Sequence, residues 1–246
     1  MRLATIALLI LLLLAGTAGA AESPLVAEVR AKATRYHEDL PRIDAVRTEL
    51  AQLVKTDPQV DNLIALAQVC FIWGDVRART PEDKLAAYEQ GREAAKRAVE
   101  LAPRNAAAHF WHGVHIGRWG QTKGAVRSLF LLPTLKQEIA TAMELDPTFP
   151  PVYSLAGSVY FEVPGLFGGD LDKAEQMFRK SLELDPRFTG ARVGLARVLI
   201  KKGRIADARR ELETVLVEKS PTNLADWTVK DSRRARELLA SLKQNP

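Results

Sequence analysis

The stretch Tyr153-Ser154-Leu155-Ala156-Gly157-Ser158-Val159-Tyr160 is continued by Gly169-Asp170-Leu171-Asp172-Lys173-Ala174-Glu175-Gln176-Met177-Phe178 and closed by Asp185-Pro186. An aromatic, a small pair, a tyrosine, then Ala-x3-Phe and a final proline describe two antiparallel helices built to stack on copies of themselves. Each position has a physical reason. Gly157 lets the partner helix approach closely and Ala174 does the same from the second helix, while Tyr153, Tyr160 and Phe178 fill the space between them. Pro186 cannot continue a helix and turns the chain into the next unit.

On either side of this unit, Pro58, Pro103, Pro147, Pro186 and, more loosely, Pro221 end successive second helices, with spacings of 45, 44, 39 and 35 residues. In this spacing and in its motif the chain resembles the tetratricopeptide repeat, whose unit is about 34 residues. The resemblance implies an all-α superhelix of about five helix pairs. The units are expected at about 23–58, 59–103, 104–147, 148–186 and 187–221, with a capping helix at about 228–242. No alternating run bounded by turn residues suggests a strand.

The repeats are irregular. Thr80-Pro81-Glu82-Asp83 should start a second helix, with Thr80 capping and Pro81 in the first turn, and Ala87, Ala94, Ala95, Ala98 and Leu101 form a narrow seam along it. In the third unit the second helix is expected from Pro133, leaving Arg118 to Leu132 as a turn about ten residues too long. Its apolar end, Leu129 to Leu132, should tuck into the superhelix or meet a partner. Thr228-Val229-Lys230-Asp231 resembles a capping box for the last helix.

At the N-terminus, Met1-Arg2 precedes an apolar run from Leu3 to Ala15 and a small-residue stretch, Gly16 to Ala20, ending Ala-x-Ala. This is a secretory signal peptide over residues 1–20, and it predicts an exported, periplasmic protein with no stable membrane span after cleavage. A lipoprotein would need a cysteine at the cleavage point, where Ala20-Ala21 stands. The formal net charge of +5 over 246 residues is too mild and too evenly mixed to argue for nucleic acid. The single cysteine, Cys70, excludes an internal disulfide and reads as a small core residue.

No nucleophile, base and orienting group recur at a spacing that supports catalysis, so no enzyme and no cofactor are expected. Gly168-Gly169-Asp170 lacks the phosphate-loop spacing, and Asp170 is better explained as a helix cap. His109, His112 and His115 fall within an arc of about 120° on one helix face and form the best metal candidate. Further ligands at defined spacing are missing, and packed, hydrogen-bonded histidines are the better reading. A small apolar ligand or a metal near these histidines is the alternative function.

Repeats of this kind bind partners through first-helix positions facing the concave side. By register these are Val69, Ile72 and Trp73, then Phe110, Val114 and Arg118, then Ser154, Ser158, Phe161 and Glu162, then Val193, Arg197 and Lys201. The set is mainly apolar with basic residues at one end. It reads equally as an open groove and as core filled by the long turns and the last helix. From Ala106 to Leu242 the chain also resembles the T-component of periplasmic TRAP transporter systems. The match is carried by Ala142-Met143-Glu144-Leu145-Asp146-Pro147, Leu155-Ala156-Gly157, Val163-Pro164-Gly165, Gly168-Gly169-Asp170 and Ser232-Arg233-Arg234-Ala235. That resemblance implies an enzymatically inert envelope scaffold that forms homo-oligomers and docks a substrate-binding protein partner.

Overall fold

The structure is a computed structural model describing residues 22–244, so the signal-peptide reading of residues 1–20 lies outside the described residues. The described residues are 82 % helical, with no strand among them, as an α-α superhelix requires. Five antiparallel pairs follow in order: α1 (Pro24–Lys32) with α2 (Leu40–Thr56), α3 (Val60–Val76) with α4 (Pro81–Leu101), α5 (Ala106–Lys123) with α6 (Ala125–Leu145), α7 (Pro150–Glu162) with α8 (Leu171–Leu184), and α9 (Thr189–Lys201) with α10 (Ile205–Val217). A short helix, α11 (Leu224–Asp226), widens into a π-turn over Trp227–Asp231 and runs on as α12 (Ser232–Gln244).

Local sequence sets these boundaries. Thr80 and Asp83 form a reciprocal capping box on α4, Asn105 caps α5, and the Asp170 carboxylate accepts from the Asp172 and Lys173 amides at the start of α8. Gly203 turns α9 into α10 in a left-handed conformation. Between pairs, the Phe178 ring is wedged against two glycines: a Cβ on Gly157 would lie 2.9 Å from it and one on Gly194 2.3 Å. The same device recurs where Tyr88 meets Gly74 and His115 meets Gly91. Tyr153 and Tyr160, expected to fill this gap, are only half-buried, and Tyr153 donates to the Pro147 carbonyl; Val152, Ala156 and Gly157 are the buried residues of α7. Cys70 is core, its thiol pushed up to about 12 by burial.

Four expectations are corrected. The long turn of the third unit is helix: α5 and α6 are 18 and 21 residues long, against 13 and 14 for α7 and α8, so the extra residues lengthen both members of the pair. Pro133 sits inside α6 rather than at its start. It forgoes one backbone bond, but the apolar period running through Leu131, Leu132 and Leu135 keeps the helix packed across it. The last helix starts at Leu224 under Asn223, whose side chain accepts from the Asp226 amide. Thr228 instead donates to the Leu224 carbonyl and Asp231 accepts from Thr189, so no capping box forms there. Leu101 is exposed at the end of α4, while the alanines of the expected seam are buried.

The superhelix closes on itself. The Ala225 amide donates to the Thr34 carbonyl at 2.8 Å and the Tyr36 hydroxyl to Asp226 at 2.6 Å, so the C-terminal segment returns across the concave side to the first unit. No helix among the described residues is long and apolar enough to cross a membrane. The glycine wedge makes a direct prediction. Phe178→Ala should cost about 3–5 kcal/mol and Gly194→Val about 1–3 kcal/mol, both read as lowered midpoints in urea. Gly203→Ala should cost less than either, because no atom lies near that site and only its backbone conformation suffers.

Candidate interaction groove

Closure leaves one large opening on the concave side, a groove of about 890 Å³ between α5, α6 and α7 on one flank and α9, the π-turn and α12 on the other. Phe110, Val114, Leu132, Leu135, Leu155 and Val159 give the first flank its apolar character. The second carries Arg197, Lys230, Arg233 and Arg234. Apolar character arises because first-helix residues four apart, such as Leu155 and Val159, share the face turned inward. Leu129 and Leu131 of the lengthened α6 add to the same wall, while Phe130 points away and is 81 % exposed.

A buried ionic node forms the end of the groove nearest the first units. The Asp75 side chain, 9 % exposed, receives Arg118 at 3.1 Å, Lys230 at 3.3 Å and the Tyr88 hydroxyl at 2.8 Å. Burial pushes its carboxyl up, but Arg118 and Lys230 outweigh that and hold it below the ordinary range. Lys230 also meets Asp226 at 2.7 Å, and the opposing carboxylates keep its ammonium raised despite desolvation. Beside them Asp231 accepts from the Thr189 hydroxyl at 2.7 Å, and burial pushes its carboxyl up to about 6.

Of the expected partner-binding residues, Phe110, Val114, Arg118, Ser158, Glu162, Val193 and Arg197 line this groove. Phe161 and Lys201 stand beside it: the Arg197 guanidinium lies 4.5 Å and the Lys201 ammonium 5.0 Å from the Phe161 ring centroid. Val69 and Ile72 do not reach it; they floor a separate cavity of about 210 Å³ under α1 and α2. Trp73 is engaged elsewhere too, donating to Asp44 at 2.6 Å beneath Arg47. The physical reason is the added N-terminal pair, which packs on the α3 face that a terminal repeat would leave open. Sequence reasoning missed Asp75, Lys230, Arg233 and Arg234. The cationic pair Arg233-Arg234 was visible, but the shift of the last helix onto the concave side was not.

The three histidines do not converge. His109 lies 2.6 Å from Glu138 and 2.9 Å from the Pro103 carbonyl, and His112 lies 3.0 Å from the other Glu138 oxygen. Burial would raise the Glu138 carboxyl, but His112 and His109 outweigh it and lower it. His115 faces the opposite side, its Nε2 2.8 Å from the Ala67 carbonyl, which requires that nitrogen to carry the proton. No metal-holding cluster of three or more His, Cys, Asp or Glu residues occurs among the described residues.

Stacked helix pairs joined by aromatic-on-glycine contacts, with a concave groove, define a tetratricopeptide-type protein, a class whose members are typically non-enzymatic scaffolds. A tetratricopeptide family model matches residues 168–223. The chain belongs to the regulator of microtubule dynamics protein 1-3 family, whose model matches residues 27–167, more than half of its length. Regulator of microtubule dynamics protein 3 of Mus musculus is 25 % identical over 250 residues, covering 89 % of this chain and 52 % of the relative. The Rattus norvegicus protein of that name is 25 % identical over 166 residues, covering 58 % and 35 %. The chain thus spans about half the length of the mouse relative and about a third of the rat one. Among solved structures, a thermophilic tetratricopeptide protein of Thermus thermophilus superposes with a TM-score of 0.63 at 22 % identity, covering 87 % of this chain and 96 % of that one. PilF of Pseudomonas aeruginosa gives 0.52 at 19 % identity, covering 89 % and 92 %. These two show the fold alone. The narrower resemblance to the transporter T-component is not shown by the comparisons.

Two buried groups give stability opposite dependences on pH. Burial lowers His115 from an ordinary 6.5 to about 4, so the unfolded chain binds the extra proton; its contribution is full above about 6.5 and drains as pH falls through about 4. Asp231 is raised from 3.8 to about 6, so the folded chain binds the extra proton; its contribution is full below about 3.8 and is lost as pH rises through about 6. Melting temperatures of Asp231→Asn should therefore gain on the parent as pH goes from 4.5 to 7, whereas His115→Gln should flatten the parent's loss on acidification. Parallel profiles for parent and variants would contradict both assignments.

Proposed function

We propose that the protein is a non-enzymatic interaction scaffold that holds a segment of a partner protein in the groove between α5–α7 and α9–α12. The observation that carries this reading is the 890 Å³ opening itself. A superhelix that closes its first and last units onto each other leaves its apolar first-helix faces uncovered at this place. Val159 lines the groove and Phe161, two residues on, does not. Capture of partners from extracts should therefore be lost in Val159→Asp and kept in Phe161→Asp, with circular dichroism confirming that both fold. If Val159→Asp retains the same partners, the groove is not the docking site.

Two finer readings rest on separate support. The leader pattern over residues 1–20 and the T-component motifs support an exported protein that docks a substrate-binding protein of the cell envelope. Export predicts that the mature chain begins at Ala21, which N-terminal sequencing reads directly; an intact Met1 would end that reading. The names of the mouse and rat relatives support a partner connected with microtubules. Purified microtubules belong as one arm of the capture experiment for that reason.

A further inference from the structure

We propose that the occupant of the groove is an amphipathic helix with one apolar stripe and an acidic stripe beside it. This rests on the groove being the partner site and adds the chemistry of what it takes. The two flanks differ in character. Phe110, Val114, Leu155 and Val159 present carbon from α5 and α7, whereas the opposite flank presents guanidinium and ammonium groups from α9 and the C-terminal segment. Five cations line the groove (Arg118, Arg197, Lys230, Arg233 and Arg234) against three acids, Glu162, Asp231 and Glu237.

The pairing among these is uneven. Arg197 meets Glu162 at 2.7 Å, and Arg118 and Lys230 are held by Asp75 and Asp226. Arg233 and Arg234 share a single carboxylate, Glu237, at 3.7 and 3.4 Å, and their side chains are 74 % and 52 % exposed. Two guanidiniums loosely facing one acid at the groove wall leave a positive excess there.

The fold also shows what kind of backbone this face accepts. The neighbouring part of the concave side already holds a helical segment, Leu224 to Asp231, in which Val229 packs on the first core cluster while Asp226 accepts from the Tyr36 hydroxyl and Lys230 meets Asp75. An apolar residue flanked by a hydrogen-bonded acid and an ion-paired lysine is the recognition pattern of a helix laid in a groove. The partner helix continues that arrangement into the open part, with the charges reversed to suit Arg233 and Arg234.

The test uses two labelled synthetic helical peptides with identical leucine stripes, one flanked by glutamates and one by lysines, titrated onto the full chain by fluorescence anisotropy. The acidic peptide should bind, weaken with added salt, and lose about tenfold or more in affinity to Arg233→Glu/Arg234→Glu. The lysine peptide should bind the parent poorly and the reversed variant better. Equal binding of both peptides, or of neither, overturns the acidic-helix proposal. Phosphatidylglycerol vesicles that bind the parent but not the reversed variant, with neither peptide bound, would assign the cationic wall to a lipid surface instead. Loss of partner capture in Val159→Asp reports on the groove separately, so a failed charge test and a failed groove can be told apart.

Discussion

The contact on which the stack depends is an aromatic ring set against the bare backbone of a glycine in the neighbouring helix. Phe178 reaches Gly157 within its own pair and Gly194 in the next, so one ring fixes both the spacing inside a unit and the step between units. Tyr88 on Gly74 and His115 on Gly91 repeat the arrangement in the earlier units. Any side chain at these glycines would push the helices apart, and because each pair packs on the next the displacement would pass along the superhelix. The curvature that creates a concave face is thus written in a few glycine–aromatic pairs.

Closure then decides which part of that face stays open. The returning C-terminal segment brings Lys230 to Asp75 of the second unit and Asp226 to Tyr36 of the first, so both carboxylates gain partners across the closure. Buried ionic contacts add little net stability against apolar replacements, but removing one member leaves the other uncompensated, so they specify register more than they strengthen it. Here they hold the last helix where Arg233 and Arg234 face the apolar wall of α5 and α7. The proposed function rests on that juxtaposition of an apolar and a cationic flank.

The fold was legible because its signals are local. Thr80 and Asp170 at helix starts, Gly203 at a turn, and the Tyr153–Phe178 motif all act within one unit. What the sequence hid was non-local. Pro133 looks like a boundary unless the apolar period on both sides of it is read as one helix. Thr228 and Asp231 look like a capping box until Asn223 takes the cap and Thr189 takes the carboxylate. Val69, Ile72 and Trp73 match a concave register, yet the preceding pair and Asp44 cover them. The site was half legible: α5, α7 and α9 supplied residues by register, while Asp75, Lys230, Arg233 and Arg234 entered through a closure that no spacing reveals.

The proposed partner site is the inner face of the closed superhelix. Hydrogen–deuterium exchange of the protein alone and saturated with a captured partner reads that assignment out segment by segment. Added protection should fall on segments 128–135, 155–163, 193–197 and 230–237, which line the groove. Protection confined to the outer helices α8 and α10, with those segments unchanged, would contradict it.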